Sequence, residues 1–242
     1  MVAEQPRTAT EAGGPVPERT AVVVTWTVAG DLRFLSHHDE RRWVARALVR
    51  AGWPLVYSRG FNPQPRLSLP APRSVGTAAD AQCAWLLLTQ PVEPRVLYDA
   101  LRPQWPAAGR LERVVSPTLR RVPQPRQACF EVPLDAADAA KSAAAARGLL
   151  ERDRLVIERD CGPDRPRRRL DIRPYIDNLE VDGRRLRLML SYHQQRTARP
   201  SEILTELGLA ADAYQHRVRR TGVQWDCEPT GPAYGPAADE RN

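Results

Sequence analysis

The spacing of apolar residues divides the chain into two passes through a similar order of elements. Residues 20–28, TAVVVTWTV, are dense in β-branched side chains and predict a first strand. Ala29-Gly30-Asp31 reads as a turn, and 32–35 leads into a helix. Ser36 is placed to cap that helix, and Asp39 three residues on completes an S-x-x-D box. The helix is expected to reach Ala51 and stop at Gly52, burying Trp43, Val44, Ala47, Leu48 and Ala51. Arg42, Arg46 and Arg50 recur on another face, which suits a solvated surface or a ligand-binding row. Short strands at 55–58 and 66–69, an apolar strand at 82–89, a helix over 95–101 and a strand at 111–115 follow. This β-α-β-β-α-β order is that of a ferredoxin-like module.

Residues 116–127, SPTLRRVPQPRQ, hold three prolines and three arginines and break the pattern, as a linker would. The order then restarts. Phe130, Val132 and Leu134 alternate as in a strand, 135–151 is an alanine-rich helix, and 155–158 is a strand. Segments 169–172 and 176–181 are extended, with Asp182-Gly183 as a hairpin turn. Leu186, Leu188 and Leu190 alternate with Arg185, Arg187 and Met189, giving one apolar face. Pro200 opens a helix closed by Gly208, and 218–225 is a last strand. The expected fold is therefore α+β: two tandem ferredoxin-like modules, with antiparallel sheets and helices on one face. The expected boundaries are a disordered tail at 1–18, a first domain at 19–116, a linker at 117–127, a second domain at 128–228 and a disordered tail at 229–242. A single larger α+β domain is the alternative.

Charge adds a class of partner. The formal charge is +7 and the isoelectric point about 9.7, favouring an anionic partner such as RNA, an acidic protein or a phosphorylated ligand. The basic residues are almost all arginine, Lys141 being the one lysine, a bias that a GC-rich genome also produces. The four cysteines, Cys83, Cys129, Cys161 and Cys227, are widely spaced, which argues against a zinc site or an iron–sulfur cluster. No cofactor or metal is expected. No apolar run has membrane-spanning length and no signal-peptide core is present, so a cytoplasmic protein with reduced thiols and no membrane partner is expected.

Candidate chemistry concentrates in residues 33–68. The loop from Gly60 to Arg66 is stiff, because Pro63 and Pro65 fix φ and remove two donors. Such a loop, presenting Arg59, Asn62, Gln64 and Arg66, suits recognition of a shaped polar or anionic partner. Arg33, Tyr57 and Ser58 are assigned to the same surface. The alternative is a structural crossover whose Phe61 plugs the core. His37 and His38 occupy the first helical turn and point to different faces, so they do not form a metal pair; either is a weak candidate for a general acid or base. Arg165, Arg167, Arg168, Arg169 and Arg173 form a secondary basic cluster, and Arg217, Arg219 and Arg220 another, both able to contact phosphates. The aromatic signature of an RNA-recognition module, a Walker loop, a dinucleotide fingerprint and a nucleophile elbow are absent.

At RFLSHHD and YSRGFNPQPRLS the chain resembles a bacterial family of unknown function, the radical SAM-associated (radical SAM-linked) proteins. The similarity is strongest from Gly30 to Gly76. It extends through Asp171-Ile172-Arg173-Pro174, Arg199-Pro200 and Arg219-Arg220-Thr221-Gly222-Val223. Gln64 stands where similar sequences often have His. The resemblance implies a radical SAM protein as partner and brings no catalytic residues with it. The absent cluster cysteines imply that this chain is not itself the radical SAM enzyme. The leading expectation is an accessory protein that binds RNA or docks on a radical SAM partner. The alternative is a metal-independent RNA-processing enzyme using His37 or His38.

Overall fold

In a computed structural model, which describes residues 19–118, 121–162 and 166–236, strand β1 (Thr20–Val28) forms the spine of the N-terminal half. Its alternation turns Val22, Val24, Trp26 and Val28 toward one core, and Ala21 and Val23 toward a smaller cluster on the opposite face. A 3-10 turn over Gly30–Phe34 leads to α1 (His37–Arg50). Ser36 caps α1 as expected: its hydroxyl accepts from the Asp39 amide at 3.1 Å and donates to the Asp39 carboxylate at 2.7 Å. Gly52 ends the helix at φ +70°, a left-handed conformation that glycine adopts without strain. Val44, Ala47 and Leu48 are buried, joined unexpectedly by Glu40. Trp43 is half-buried, with its ring 6.2 Å from Trp26 and 4.7 Å from Trp105.

β2 (Leu67–Ser68), β3 (Ala78–Leu88), α2 (Pro94–Leu101) and β4 (Leu111–Val115) complete this half. Residues 55–58 do not form a regular strand. They make isolated bridges, Leu55 with Leu88 and Tyr57 with Pro65. The C-terminal half contains β5 (Pro125–Pro133), α3 (Ala136–Leu150), β6 (Val156–Arg159), β7 (Arg168–Asp171), β8 (Ile176–Asp182), β9 (Arg185–Ser191), α4 (Pro200–Glu206), α5 (Ala211–Gln215) and β10 (Arg219–Trp225). The leucines of β9 are fully buried, and Leu186, Leu188 and Leu190 stand opposite Val132, Phe130 and Ala128. A short strand, β11 (Ala233–Tyr234), pairs with β4.

The result is a mixed fold of helices and a mostly antiparallel sheet, with the helices on one face. Nine strands belong to one sheet, in the order β11-β4-β1-β3-β10-β5-β9-β8, with β2 also on β3; β6 and β7 form a separate ribbon. Each half keeps its own hydrophobic cluster. The sheet nevertheless runs unbroken through a parallel joint, Arg219 opposite Ala78 and Arg220 opposite Ala79. The expectation of two separate modules is corrected here. Beyond β2, the edge of β3 has free backbone donors and acceptors, and β10 satisfies them.

Two boundary expectations also shift. β5 begins at Pro125, inside the expected 117–127 linker. Residues 229–236, expected to be loose, instead run along β4: the Ser116 amide donates to Pro232 at 2.9 Å, the Thr118 amide to Thr230 at 3.1 Å, and the Tyr234 ring lies 5.3 Å from Tyr98. The expected tails at 1–18 and 237–242 lie outside the described residues. No helix among the described residues is long and apolar enough to cross a membrane.

Candidate functional site

The stretch 58–66 forms a closed, protruding hairpin. The Ser58 amide donates to the Gln64 carbonyl at 2.8 Å, and the Gln64 amide donates to the Ser58 hydroxyl at 3.0 Å. The Arg66 amide returns the chain to Val56 at 2.7 Å, and the Val56 amide donates to Leu87 of β3 at 2.9 Å. Four hydrogen bonds thus fix the base, while the two prolines stiffen the return arm. At the tip, Phe61 is fully exposed, at 112%. This overturns the alternative in which Phe61 plugs the core. Arg59, Asn62, Gln64 and Arg66 are exposed around it, and Tyr57 is 44% exposed at the base.

Behind the hairpin lies a cleft of ≈ 560 Å³. Trp85, Leu87 and Val122 give it an apolar floor; Arg41, Ser58, Gln64 and Arg66 make a polar rim. Sequence reasoning missed Arg41, although it sits one turn along α1 from His37. The structure brings Tyr57, Ser58, Arg59, Asn62, Gln64 and Arg66 onto one feature. Arg33 is engaged elsewhere: its guanidinium donates to the His216 carbonyl at 2.8 Å, clasping the C-terminal half.

His37 and His38 are both exposed at the start of α1. Burial of its inner edge holds the His37 imidazole below its ordinary pKa, with Glu40 opposing and Arg41, His38 and Arg73 adding to the shift. Neither histidine lines the cleft behind the hairpin.

The expected basic clusters disperse. Arg173 is committed to main-chain carbonyls, donating to Leu150 at 2.7 Å, Ile176 at 2.8 Å and Arg152 at 3.0 Å, and so closes the C-terminal end of α3. Arg167, Arg168 and Arg169 are exposed, and Arg165 lies outside the described residues. Arg217 pairs with Asp135 at 3.1 Å and Arg219 with Asp80 at 2.5 Å.

Arg220 has a different role, which the sequence did not reveal. It is 1% exposed at the β3–β10 joint and donates to Ala71 at 2.8 Å, to Gln82 Oε1 at 2.5 Å and to Ala81 at 3.3 Å. Gln82 in turn donates to Glu40 at 3.2 Å. Arg73 lies 3.4 Å from the same carboxylate and donates to Leu32 and Arg33, each at 2.7 Å, and to Thr77 at 3.1 Å. One buried guanidinium, Arg73, therefore faces the Glu40 carboxylate directly, and the other, Arg220, is linked to it through the Gln82 side chain. Burial lowers the pKa of both, and Glu40 opposes that shift in each. The readable signal was Glu40 itself, a carboxylate on the apolar stripe of α1.

The cysteines offer neither a cluster site nor an activated nucleophile at Cys83. Burial pushes the Cys83 thiol up to about 12, so it stays protonated at neutral pH. All four are free thiols, and no group of three His, Cys, Asp or Glu able to hold a metal ion is present among the described residues. The described residues, which include all four cysteines, accordingly supply no ligand set for a radical SAM cluster.

No curated protein matches the chain. A family model does, over residues 22–200, which span the hairpin, both sheet halves up to the start of α4, and the Asp171-Ile172-Arg173-Pro174 motif. The chain belongs to the bacterial family described as "Uncharacterized protein conserved in bacteria (DUF2344)", the radical SAM-associated family that its RFLSHHD and YSRGFNPQPRLS motifs resemble.

Proposed function

We propose that the protein is a non-catalytic accessory subunit that docks onto a radical SAM partner through the 58–66 hairpin and the cleft behind it. The observation that carries this reading is Phe61, a large aromatic held fully in solvent at the tip of a rigid loop. Exposing such a ring has no benefit for the fold of the isolated chain, whereas buried aromatics with arginine neighbours commonly anchor interfaces. Pre-ordering of the loop by Ser58, Pro63 and Pro65 lowers the entropic cost of docking. Arg59 and Arg66 suit an acidic rim on the partner. We also read the two halves as ferredoxin-like units fused edge to edge, a reading supported by the strand orders β4-β1-β3-β2 and β10-β5-β9-β8.

RNA is the second reading, favoured by the interleaving of Tyr57, Arg59, Phe61 and Arg66, since exposed rings and guanidiniums can stack bases. Affinity purification of the tagged protein from its native cells, with and without nuclease, separates the two. The docking reading expects a radical SAM protein to co-purify, resist nuclease, and fall at least about tenfold with Phe61→Ala, as loss of an anchor residue implies. Recovery of RNA without a radical SAM protein would transfer the function to RNA binding.

A further inference from the structure

The seam between the two halves holds a second cleft, of ≈ 570 Å³, distinct from the one behind the hairpin. One wall is the 72–77 segment that precedes β3; the other is the 192–201 segment between β9 and α4. Four arginines line it, Arg73, Arg159, Arg196 and Arg199, and no aspartate or glutamate does. They are not equivalent. Arg73 is sequestered in the buried network, and Arg159 forms a two-pronged pair with Glu202 at 2.6 and 2.7 Å. Arg196 and Arg199 are exposed, and among the described residues neither guanidinium has a hydrogen-bond or ion-pair partner.

Two further observations point to a ligand. The hydroxyls of Thr77 and Thr197 both belong to residues of this cleft, are closed off from solvent and have no hydrogen-bond partner; Thr77 is only 1% exposed. Buried hydroxyls are ordinarily satisfied, so an orphaned pair beside unpaired guanidiniums describes donors without an acceptor. The turn that carries Arg196 is also unusual. His193 and Arg196 exchange backbone hydrogen bonds at 2.9 and 3.0 Å around Gln194 and Gln195, whose φ values are +51° and +63°. Both central positions of this turn favour glycine or asparagine, and a larger side chain there costs on the order of 1 kcal/mol each. Strain of this kind persists where the turn has a task. Here it sets Gln195 and Arg196 into the cleft wall beside Tyr192.

We propose that this seam cleft binds a small phosphate-bearing ligand of about mononucleotide size, with Arg196 and Arg199 on the phosphate oxygens; the Thr77 and Thr197 hydroxyls, closed off just beneath the cleft wall, would join the donor set only on a shift of that wall. Guanidiniums match phosphate geometry and stay charged at all working pH values. Tyr192 offers an aromatic surface for the rest of the ligand. The site bridges both halves, so occupancy would also tighten the seam. The inference does not depend on the hairpin's docking role.

Isothermal titration of the full chain with inorganic pyrophosphate, AMP and citrate tests it. The expected result is saturable 1:1 binding of pyrophosphate or AMP, weakened about tenfold or more in Arg196→Gln/Arg199→Gln, a loss consistent with removing charge-assisted contacts. Both side chains are exposed and unpartnered, so the double variant is expected to keep the wild-type Tm without ligand. A second variant, Arg168→Gln/Arg169→Gln on the exposed β7 ribbon, is expected to bind as the wild type does. Pyrophosphate binding alone would mean recognition of phosphate, and tighter AMP binding would add recognition of the base. The proposal fails if neither binds at 5 mM, on the order of the weakest affinities worth calling specific. It also fails if citrate binds as tightly as pyrophosphate, or if the two double variants lose binding equally.

Discussion

Glu40 is the least expected residue in the protein. It occupies the same helical stripe as Val44, Ala47 and Leu48, and at 1% exposure it is as buried as they are. Its carboxylate lies 3.4 Å from the buried guanidinium of Arg73 and is connected to that of Arg220 through the Gln82 side chain. Breaking a buried ionic network from one side leaves uncompensated charge, at a cost of roughly 3–5 kcal/mol. Glu40→Gln keeps the shape and an acceptor for the Gln82 amide but removes the charge. We expect it to lower the free energy of unfolding by an amount in that range, read as a lower urea midpoint with an unchanged slope. A loss under about 1 kcal/mol, the scale of an exposed pair, would mean that the carbonyls of Leu32, Arg33 and Thr77 alone satisfy Arg73. The hairpin residues behave differently. Pro63 and Pro65 were legible because their effects are local: two rings stiffen the loop from within it; the Ser58 hydroxyl, expected on the binding surface, also closes the loop by accepting from the Gln64 amide. Glu40, Arg73 and Arg220 were not, because nothing in the local sequence says that residues 147 positions apart will share a carboxylate environment.

At the scale of elements, the same division holds. β1, α1, β4, α3 and β9 match their sequence signals closely, since each is fixed by its own periodicity and caps. β11 was illegible. Two residues flanked by glycine and proline carry no period, and their order comes from β4, far away in sequence. That origin makes a specific demand on Gly235. A Cβ there would overlap the Glu112 carbonyl oxygen, so the backbones approach as closely as only glycine allows. Gly235→Ala is therefore expected to peel the strap from β4 and lower Tm by several degrees, corresponding to about 1–3 kcal/mol of overpacking or lost contact. Limited proteolysis should then cut within 229–236. A variant as resistant and as stable as the wild type would show that the strap is not bound along β4. The start of β3 was missed for a related reason. Ala78 and Ala79 lack strand propensity and are ordered by their parallel partner β10.

At the scale of the whole molecule, two hydrophobic clusters meet at a joint that is polar. Across it run the short β3–β10 pairing, the Arg220 network and the Arg33 clasp on His216. Among the described residues the β3–β10 pairing registers two residue pairs, so the Arg220 side chain is placed to carry much of the coupling between the two cores. The tryptophans make this measurable. Five of six, Trp26, Trp43, Trp53, Trp85 and Trp105, lie in the N-terminal half, so fluorescence reports mainly on that half, while circular dichroism reports on both. For the wild type we expect one cooperative unfolding transition with coincident midpoints from both probes. Arg220→Ala removes the bonds to Ala71, Ala81 and Gln82 and leaves Glu40 with Arg73 and the Gln82 amide. In that variant the two probes are expected to separate, the fluorescence midpoint differing from the circular dichroism midpoint by a resolvable interval. Coincident midpoints in the variant would place the coupling in the sheet pairing. Separated midpoints already in the wild type would mean that the two halves unfold independently despite their shared sheet. The seam cleft sits on this same joint, so the coupling that Arg220 provides also sets how firmly the walls bearing Thr77 and Arg196 are held opposite each other.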